Sequence, residues 1–138
     1  APEPTPEPKP EPTPKPEPKA KPTKEEANQL AADGTKAFKA GKTSTAQSLF
    51  KKALEGNPKQ IDALKGLANI YFDKGNYSRA IYYGRKATYA RPSDANLRIS
   101  LGDYYYKAGK NSDAKKQYEK AKSLGSKRAD KRLKKVGG

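Results

Sequence analysis

The sequence has 138 residues and contains no cysteine, histidine, methionine or tryptophan. Without cysteine there can be no disulfide bond, and the redox state of the compartment cannot be inferred. Without cysteine and histidine, the chain lacks the commonest zinc ligands and the commonest general base. No apolar run approaches the ~18 residues that a membrane-spanning helix needs. We therefore expect a protein that is not an enzyme and that holds neither a metal nor another cofactor.

Positive charge is abundant, and it is unevenly distributed. The net charge is +15, yet residues 1–24 hold five lysines and four glutamates, so the remaining 114 residues carry +14. A field of this sign attracts acidic peptides, nucleic acid or anionic lipid headgroups, and it affects association rates more than the fold.

Proline occupies every second position from Pro2 to Pro18. Each proline fixes its own φ, lacks an N–H and makes the preceding residue extended, so only polyproline II geometry remains. We expect residues 1–24 to be a disordered or polyproline II tether, which would span roughly 70 Å when fully extended. A ligand for a proline-binding domain is the other interpretation, but the strict alternation offers no PxxP motif between Pro2 and Pro18.

The composition of this tether resembles the Glu-Pro and Lys-Pro stretches of bacterial envelope proteins of the TonB type. That resemblance implies a spacer that holds a domain away from a membrane anchor. A periplasmic or membrane-tethered location in a bacterial envelope is therefore favoured over a cytoplasmic one. The chain does not begin with methionine, so we expect it to be part of a larger protein or a processed product.

Four columns of the sequence recur with a spacing of 34 residues, which is the mark of a repeat protein. The columns are Gly41, Gly75 and Gly109; Ala46, Ala80 and Ala114; Ala53, Ala87 and Ala121; and Phe38, Phe72 and Tyr106. Apolar residues at three- and four-residue spacing predict a helix before each glycine and another after it. The expected helices lie near 25–40, 43–56, 60–74, 77–90, 94–108 and 111–124, with a terminal helix near 127–136.

This pattern resembles the tetratricopeptide repeat. The family needs small residues where paired helices cross, an aromatic residue in the second helix and a proline at the end. These requirements are met by Gly34, Ala68 and Gly102, by Phe50 and Tyr118, and by Pro58 and Pro92. The resemblance implies an all-α helix-turn-helix solenoid over residues 25–138, with repeats at about 27–60, 61–94 and 95–128 and a C-terminal capping helix.

Several positions depart from the family pattern, among them Asp33, Gly84, Arg98 and Ser126. Gly84 stands where an aromatic residue is expected, and we predict that a nearby tyrosine, Tyr82, Tyr83 or Tyr89, fills the space. Arg98 replaces the apolar residue of the other repeats.

The resemblance implies a scaffold that binds a peptide or protein segment in the concave groove lined by the first helix of each repeat. The expected groove residues are Phe38, Lys65, Asn69, Phe72, Asn96, Asp103, Tyr106 and Lys107, and Ile99 occupies a groove position as well. The aromatic row, one residue per repeat, either packs between neighbouring repeats or forms a ladder for the peptide. Lys65 and Asn69 match only the first pair of the family's carboxylate clamp, so we expect no more than a loose preference for acidic segments.

Basic residues cluster in the second helices of the repeats and near the C-terminus. They include Arg85, Lys86, Lys115, Lys116, Lys131, Arg132, Lys134 and Lys135. One interpretation is a solvated face. The other is a second surface, on the convex side and the C-terminal helix, that binds nucleic acid or an anionic membrane with a steep salt dependence. The tyrosines, however, show no clear interleaving with the basic runs. We expect a monomer.

Overall fold

The computed structural model describes residues 2–13 and 20–137, which form seven helices and no strand. The helices are α1 (Lys24–Lys39), α2 (Thr43–Gly56), α3 (Ile61–Asp73), α4 (Tyr77–Ala90), α5 (Ala95–Lys107), α6 (Asn111–Ser123) and α7 (Arg128–Lys135). The prediction of an all-α solenoid of paired helices is confirmed for this part of the chain. None of the described helices is long and apolar enough to cross a membrane.

The N-terminal segment contains neither helix nor strand over residues 2–13 and 20–23. The expected tether also covers residues 1 and 14–19, which lie outside the described residues. Helix α1 begins at Lys24, one residue earlier than expected, because the Thr23 hydroxyl oxygen accepts the N–H of Glu26 at 3.1 Å. This N-cap satisfies a donor that the first turn would otherwise leave unpaired.

Each helix pair turns at a glycine in the left-handed region. The φ angles are 79° at Gly41, 78° at Gly75 and 79° at Gly109. The N–H of the following residue donates back across the turn, as from Asn76 to the Tyr71 carbonyl at 2.8 Å. A Cβ at these glycines would meet nothing within 4 Å, so the backbone conformation alone requires glycine.

The core contains aromatic rings seated against glycines. The Phe50 side chain of α2 is 1% exposed and lies between α1 and α3. A Cβ at Gly34 would lie 2.6 Å from the Phe50 ring, and one at Gly66 would lie 2.3 Å from it. The two glycines therefore form a slot of backbone that fits a flat ring and leaves no space for another methyl group.

The third repeat has the same packing of an aromatic ring on a glycine. In the second repeat, alanine replaces that glycine and glycine replaces the aromatic residue. Tyr118 packs on Gly102, where a Cβ would lie 2.4 Å from its ring. The equivalent pair in the second repeat is Ala68 and Gly84. Glycine thus stands opposite the aromatic rings, and alanine stands where the ring is missing.

Side chains of the next repeat occupy part of the space beside Gly84. A Cβ at Gly84 would lie 3.1 Å from the Tyr104 ring and 3.2 Å from Leu101. The prediction that a tyrosine of α4 fills this space is wrong. Tyr82 and Tyr89 are 52% and 77% exposed, because residues two and five positions away on a helix point to its opposite side. Tyr83 stacks on Tyr71 instead, with ring centroids 5.7 Å apart.

Candidate functional site

The odd-numbered helices present most of the residues that the sequence places in a groove. We call the exposed side of α1, α3, α5 and α7 the groove face. Lys65, Asn69, Asn96 and Lys107 are exposed on these helices, and Tyr106 is 38% exposed. Side chains that reach solvent from neighbouring helices can contact one partner together.

A cavity of about 320 Å³ opens at the C-terminal end of the groove face. Its lining comes from α3, α5, α6 and α7, and consists of Phe72, Asp103, Tyr106, Lys107, Tyr118, Arg132 and Lys135. The structure therefore brings four of the predicted groove residues together. The cavity combines aromatic walls with basic side chains, which suits an apolar group that carries or adjoins negative charge.

Asp103 fixes the geometry of this cavity. Its Oδ1 accepts the Tyr118 hydroxyl at 2.6 Å and the Arg132 Nε–H at 3.3 Å, and its Oδ2 accepts Arg132 Nη2 at 3.4 Å. Burial and the hydrogen bond to Asp103 raise the pKa of Tyr118 well above its usual range, so the phenol remains a donor. The Asp103 carboxylate thus ties α5 to α6 and α7, and its oxygens already have intramolecular donors.

This network involves two of the basic residues predicted on the convex side and the C-terminal helix. Arg132 lies in that helix, α7, but it is half-buried against Asp103 and lines the cavity of the groove face. Lys135 lines the same cavity. The ion pair with Asp103 of α5 holds Arg132 of α7 at the groove face. The positions of basic residues along the sequence do not predict this contact between helices.

A second, smaller recess lies where the second repeat lacks its aromatic ring. It has a volume of about 70 Å³ and is lined by Lys65, Ala68, Asn69, Gly84, Ala87, Leu97, Ser100 and Tyr104. Its lining is mixed, since apolar side chains meet the polar Ser100, and Lys65 and Asn69 are exposed. The departure at Gly84 therefore creates a recess beside two predicted groove residues.

Tyr104 connects the two cavities, and the sequence reasoning missed it. Its ring lines the small recess and packs against Phe72 of the larger cavity, with centroids 5.2 Å apart. Burial raises the pKa of Tyr104 to about 12, so the ring is a neutral wall at physiological pH. The repeat spacing offered a signal, since Tyr104 lies 34 residues after the buried Ile70.

The aromatic row is mostly structural. Phe38 is half-buried against the core, and Phe72 lies between Tyr77 and Tyr104 at centroid distances of 5.6 and 5.2 Å. These contacts favour the interpretation as packing within and between repeats, and Tyr106 is the member with the largest exposed surface. Ile99 is 1% exposed, so its expected groove position is wrong.

Other predicted residues lie away from the two cavities. The Asn96 side chain accepts a hydrogen bond from Arg128 of α7 at 3.3 Å, so its oxygen is engaged inside the domain. The basic residues of the even-numbered helices reach solvent, since Arg85, Lys86 and Lys116 are exposed and Lys115 is half-buried; Lys131 and Lys134 of α7 are exposed as well. Over residues 2–13 and 20–137, no cluster of three or more acidic side chains could hold a metal ion.

The comparisons with known proteins agree with this architecture. A family model for the tetratricopeptide repeat matches residues 37–83. This matched segment is therefore similar to the tetratricopeptide repeat. A region of 84 residues, 60% of this chain, is 37% identical to RNA polymerase-associated protein CTR9 of Caenorhabditis elegans, and the match spans only 7% of that protein.

Two solved structures share the fold. The first domain of Spaghetti (RPAP3), bound to the HSP90 peptide SRMEEVD, has a TM-score of 0.76 and 24% identity, and the match covers 83% of this chain and 92% of that one. The type III secretion chaperone SycD of Yersinia enterocolitica, in complex with a peptide of the translocator YopD, has a TM-score of 0.72 and 15% identity. That match covers 79% of this chain and 90% of SycD.

Proposed function

We propose that this tetratricopeptide domain is a non-catalytic interaction scaffold that binds a peptide or protein segment along its groove face. The observation that carries the proposal is the pair of recesses on one face, joined by the contact between Phe72 and Tyr104. The RPAP3 and SycD structures, each solved with a peptide, support binding of this kind by the fold.

The lining of the two recesses indicates the chemistry of the partner. The larger cavity suits a bulky apolar side chain against Phe72 and Tyr106, and the smaller one suits a small apolar side chain against Ala68. Asn69 can bond the peptide backbone, since a carboxamide both donates and accepts. Lys65 lies beside the smaller recess and Lys107 beside the larger, so acidic neighbours of the apolar anchors are favoured.

Charge adds to this preference. The 114 residues that follow the first 24 carry +14, and such a field accelerates the association of acidic segments. The peptide in the RPAP3 structure, SRMEEVD, contains three acidic residues and two apolar ones. A partner of the present domain would combine the same two kinds of side chain.

We further propose that the proline-rich segment is a spacer that displays the domain. Proline at alternating positions supports this role through restricted φ angles. A bacterial envelope location rests on the composition of that segment alone, whereas the sequence relative named above is a nematode protein.

The test uses a random peptide library displayed on phage and selected on the domain. A selected peptide is labelled with fluorescein, and its affinity is measured by fluorescence anisotropy for the wild type and for Tyr106→Ala. We expect the variant to bind at least about tenfold more weakly, because tyrosines at interfaces are often dominant contacts.

Tyr89→Ala is the matched control, since Tyr89 is an exposed tyrosine on α4. Its affinity for the selected peptide should equal that of the wild type. If no peptide is enriched above background, or if both tyrosine variants bind as tightly as the wild type, the groove face is not the binding site.

A further inference from the structure

A polar cleft of about 460 Å³ opens between α4 and α6, away from the cavities of the groove face. The residues that matter for its chemistry are Arg85, Tyr89, Arg98, Tyr105, Gln117 and Lys120. Three cations thus meet two aromatic rings, and no carboxylate belongs to the described lining. Asp113 and Glu119 of α6 are exposed and lie outside the lining.

Arg98 is held in place by neutral groups. Its Nη2 donates to the Pro92 carbonyl at 3.2 Å, and its Nη1 donates to Gln117 Oε1 at 3.1 Å. In the described ranges, no carboxylate lies within 4.0 Å of Arg85, Arg98 or Lys120, whereas Arg132 and Lys122 do have such partners. The guanidinium of Arg98 is therefore oriented without being neutralised, which suits an incoming anion.

This arrangement explains the departure of Arg98 from the repeat pattern. The equivalent residues of the other repeats are Leu30, which packs against the core, and Leu64, which is buried. Arginine at this position costs the third repeat an apolar contact and supplies a charge to the cleft. The replacement of leucine by arginine would be useful in a cleft that binds an anionic ligand.

Helix α4 extends the cleft with an aromatic and basic strip. Tyr82 and Tyr89 are 52% and 77% exposed, and they lie two turns apart, roughly 10 Å along the helix. Arg85 and Lys86 lie between them, and the Lys86 ammonium is 4.8 Å from the centroid of the Tyr82 ring. A neighbouring cavity of about 410 Å³ is lined by these four residues, so the two cavities share Arg85 and Tyr89.

The strip overturns an expectation from the sequence. Along the sequence, no tyrosine is clearly interleaved with the basic runs. On the helix, positions 82, 85, 86 and 89 fall on one side because they are spaced by three and four residues. Cations and aromatic rings therefore alternate in space along α4.

We propose that this surface binds single-stranded nucleic acid. The cations of the cleft would contact successive phosphates, while bases stack on the exposed faces of Tyr89 and Tyr82, as single-strand binding proteins do. A duplex keeps its bases stacked internally, so the tyrosines would add nothing to its binding. An acidic peptide would use the cations alone and leave both rings in water.

The experiment titrates the full chain into a fluorescein-labelled oligothymidylate of about 12 nucleotides, within the size range of known single-strand sites. We expect Tyr89→Ala to weaken binding at least about fivefold and Tyr89→Phe to retain it, because stacking needs the ring and not the hydroxyl. Tyr89 is mostly exposed, so its replacement leaves the fold intact.

Arg98→Gln tests the phosphate contact. The plot of log affinity against log salt concentration should become shallower by about 0.7 for each lost phosphate contact to a single strand. The matched control is Lys39→Gln, which removes one exposed positive charge from α1, at the far end of the domain. Lys39→Gln should leave that slope unchanged.

Three results would overturn the proposal. The first is equal affinity for a duplex of the same length. The second is displacement of the oligonucleotide by polyglutamate at the same charge concentration with no effect of Tyr89→Ala, which would indicate an acidic peptide. The third is an unchanged salt slope in Arg98→Gln. Tyr106→Ala should not alter oligonucleotide binding, so the outcome is independent of peptide binding on the groove face.

Discussion

Gly34→Ala is expected to destabilise the domain, although alanine is the better helix former. In an exposed helix this change would stabilise by about 1 kcal/mol. At Gly34 the new Cβ would lie 2.6 and 2.7 Å from two carbons of the Phe50 ring, well inside the ~3.5 Å of a comfortable contact. The ring cannot retreat, because Gly66 closes the other side of the slot.

The magnitude follows from these opposing effects. Overpacking of a tight core costs about 1–3 kcal/mol, and a ring confined on both sides belongs at the upper end. Subtracting the gain in helix propensity leaves a net loss of about 2 kcal/mol. When Phe50 is first replaced by alanine the clash disappears, so Gly34→Ala should then stabilise by about 1 kcal/mol. The sign of the effect reverses.

Urea denaturation followed by far-ultraviolet circular dichroism measures all four members of this cycle. The coupling free energy should be about 3 kcal/mol. The second repeat provides the precedent, since it already combines alanine at 68 with glycine at 84. Stabilisation by Gly34→Ala in the presence of Phe50, or a coupling near zero, would refute the slot.

Two other predictions concern Tyr118 and Tyr104, the buried tyrosines that line the two cavities. Tyr118→Phe should lower the free energy of unfolding by about 1–2 kcal/mol in urea titrations, because it removes the 2.6 Å hydrogen bond to Asp103 and leaves that carboxylate less well satisfied; an unchanged midpoint would argue against the network. Burial raises the pKa of Tyr104 from 10.0 to about 12, so its contribution to stability is complete below pH 10 and is lost as the pH rises toward 12. Stability should fall by up to about 1.4 kcal/mol per pH unit in that window, and Tyr104→Phe should reduce this slope; an equal slope in both proteins would contradict the assignment.

The helices could be predicted closely because they depend on local signals. Helices α2 and α4 occupy the expected positions 43–56 and 77–90, and α7 differs from its prediction by a residue at each end. The glycines at 41 and 75 mark the turns, and the apolar spacing marks the buried side of each helix. Both signals lie within a few residues of the structure that they determine.

The site was harder to predict because it depends on contacts between repeats. Tyr104 turns inward since Gly84, twenty positions earlier, leaves room for its ring. Arg132 joins the groove face since its side chain pairs with Asp103 of α5 at 3.3 Å. Arg98 departs from the repeat pattern, and its guanidinium is held by Gln117 and the Pro92 carbonyl, contacts that the repeat pattern does not encode.

The most direct test of the interaction scaffold is a titration of the ¹⁵N-labelled domain with the selected peptide, followed through its amide NMR signals. Signals from Asn69, Phe72, Tyr106 and Lys107 should shift most, and those of α4 and of the outer side of α6 should remain in place. Shifts concentrated on the even-numbered helices, with the groove face unaffected, would contradict the account.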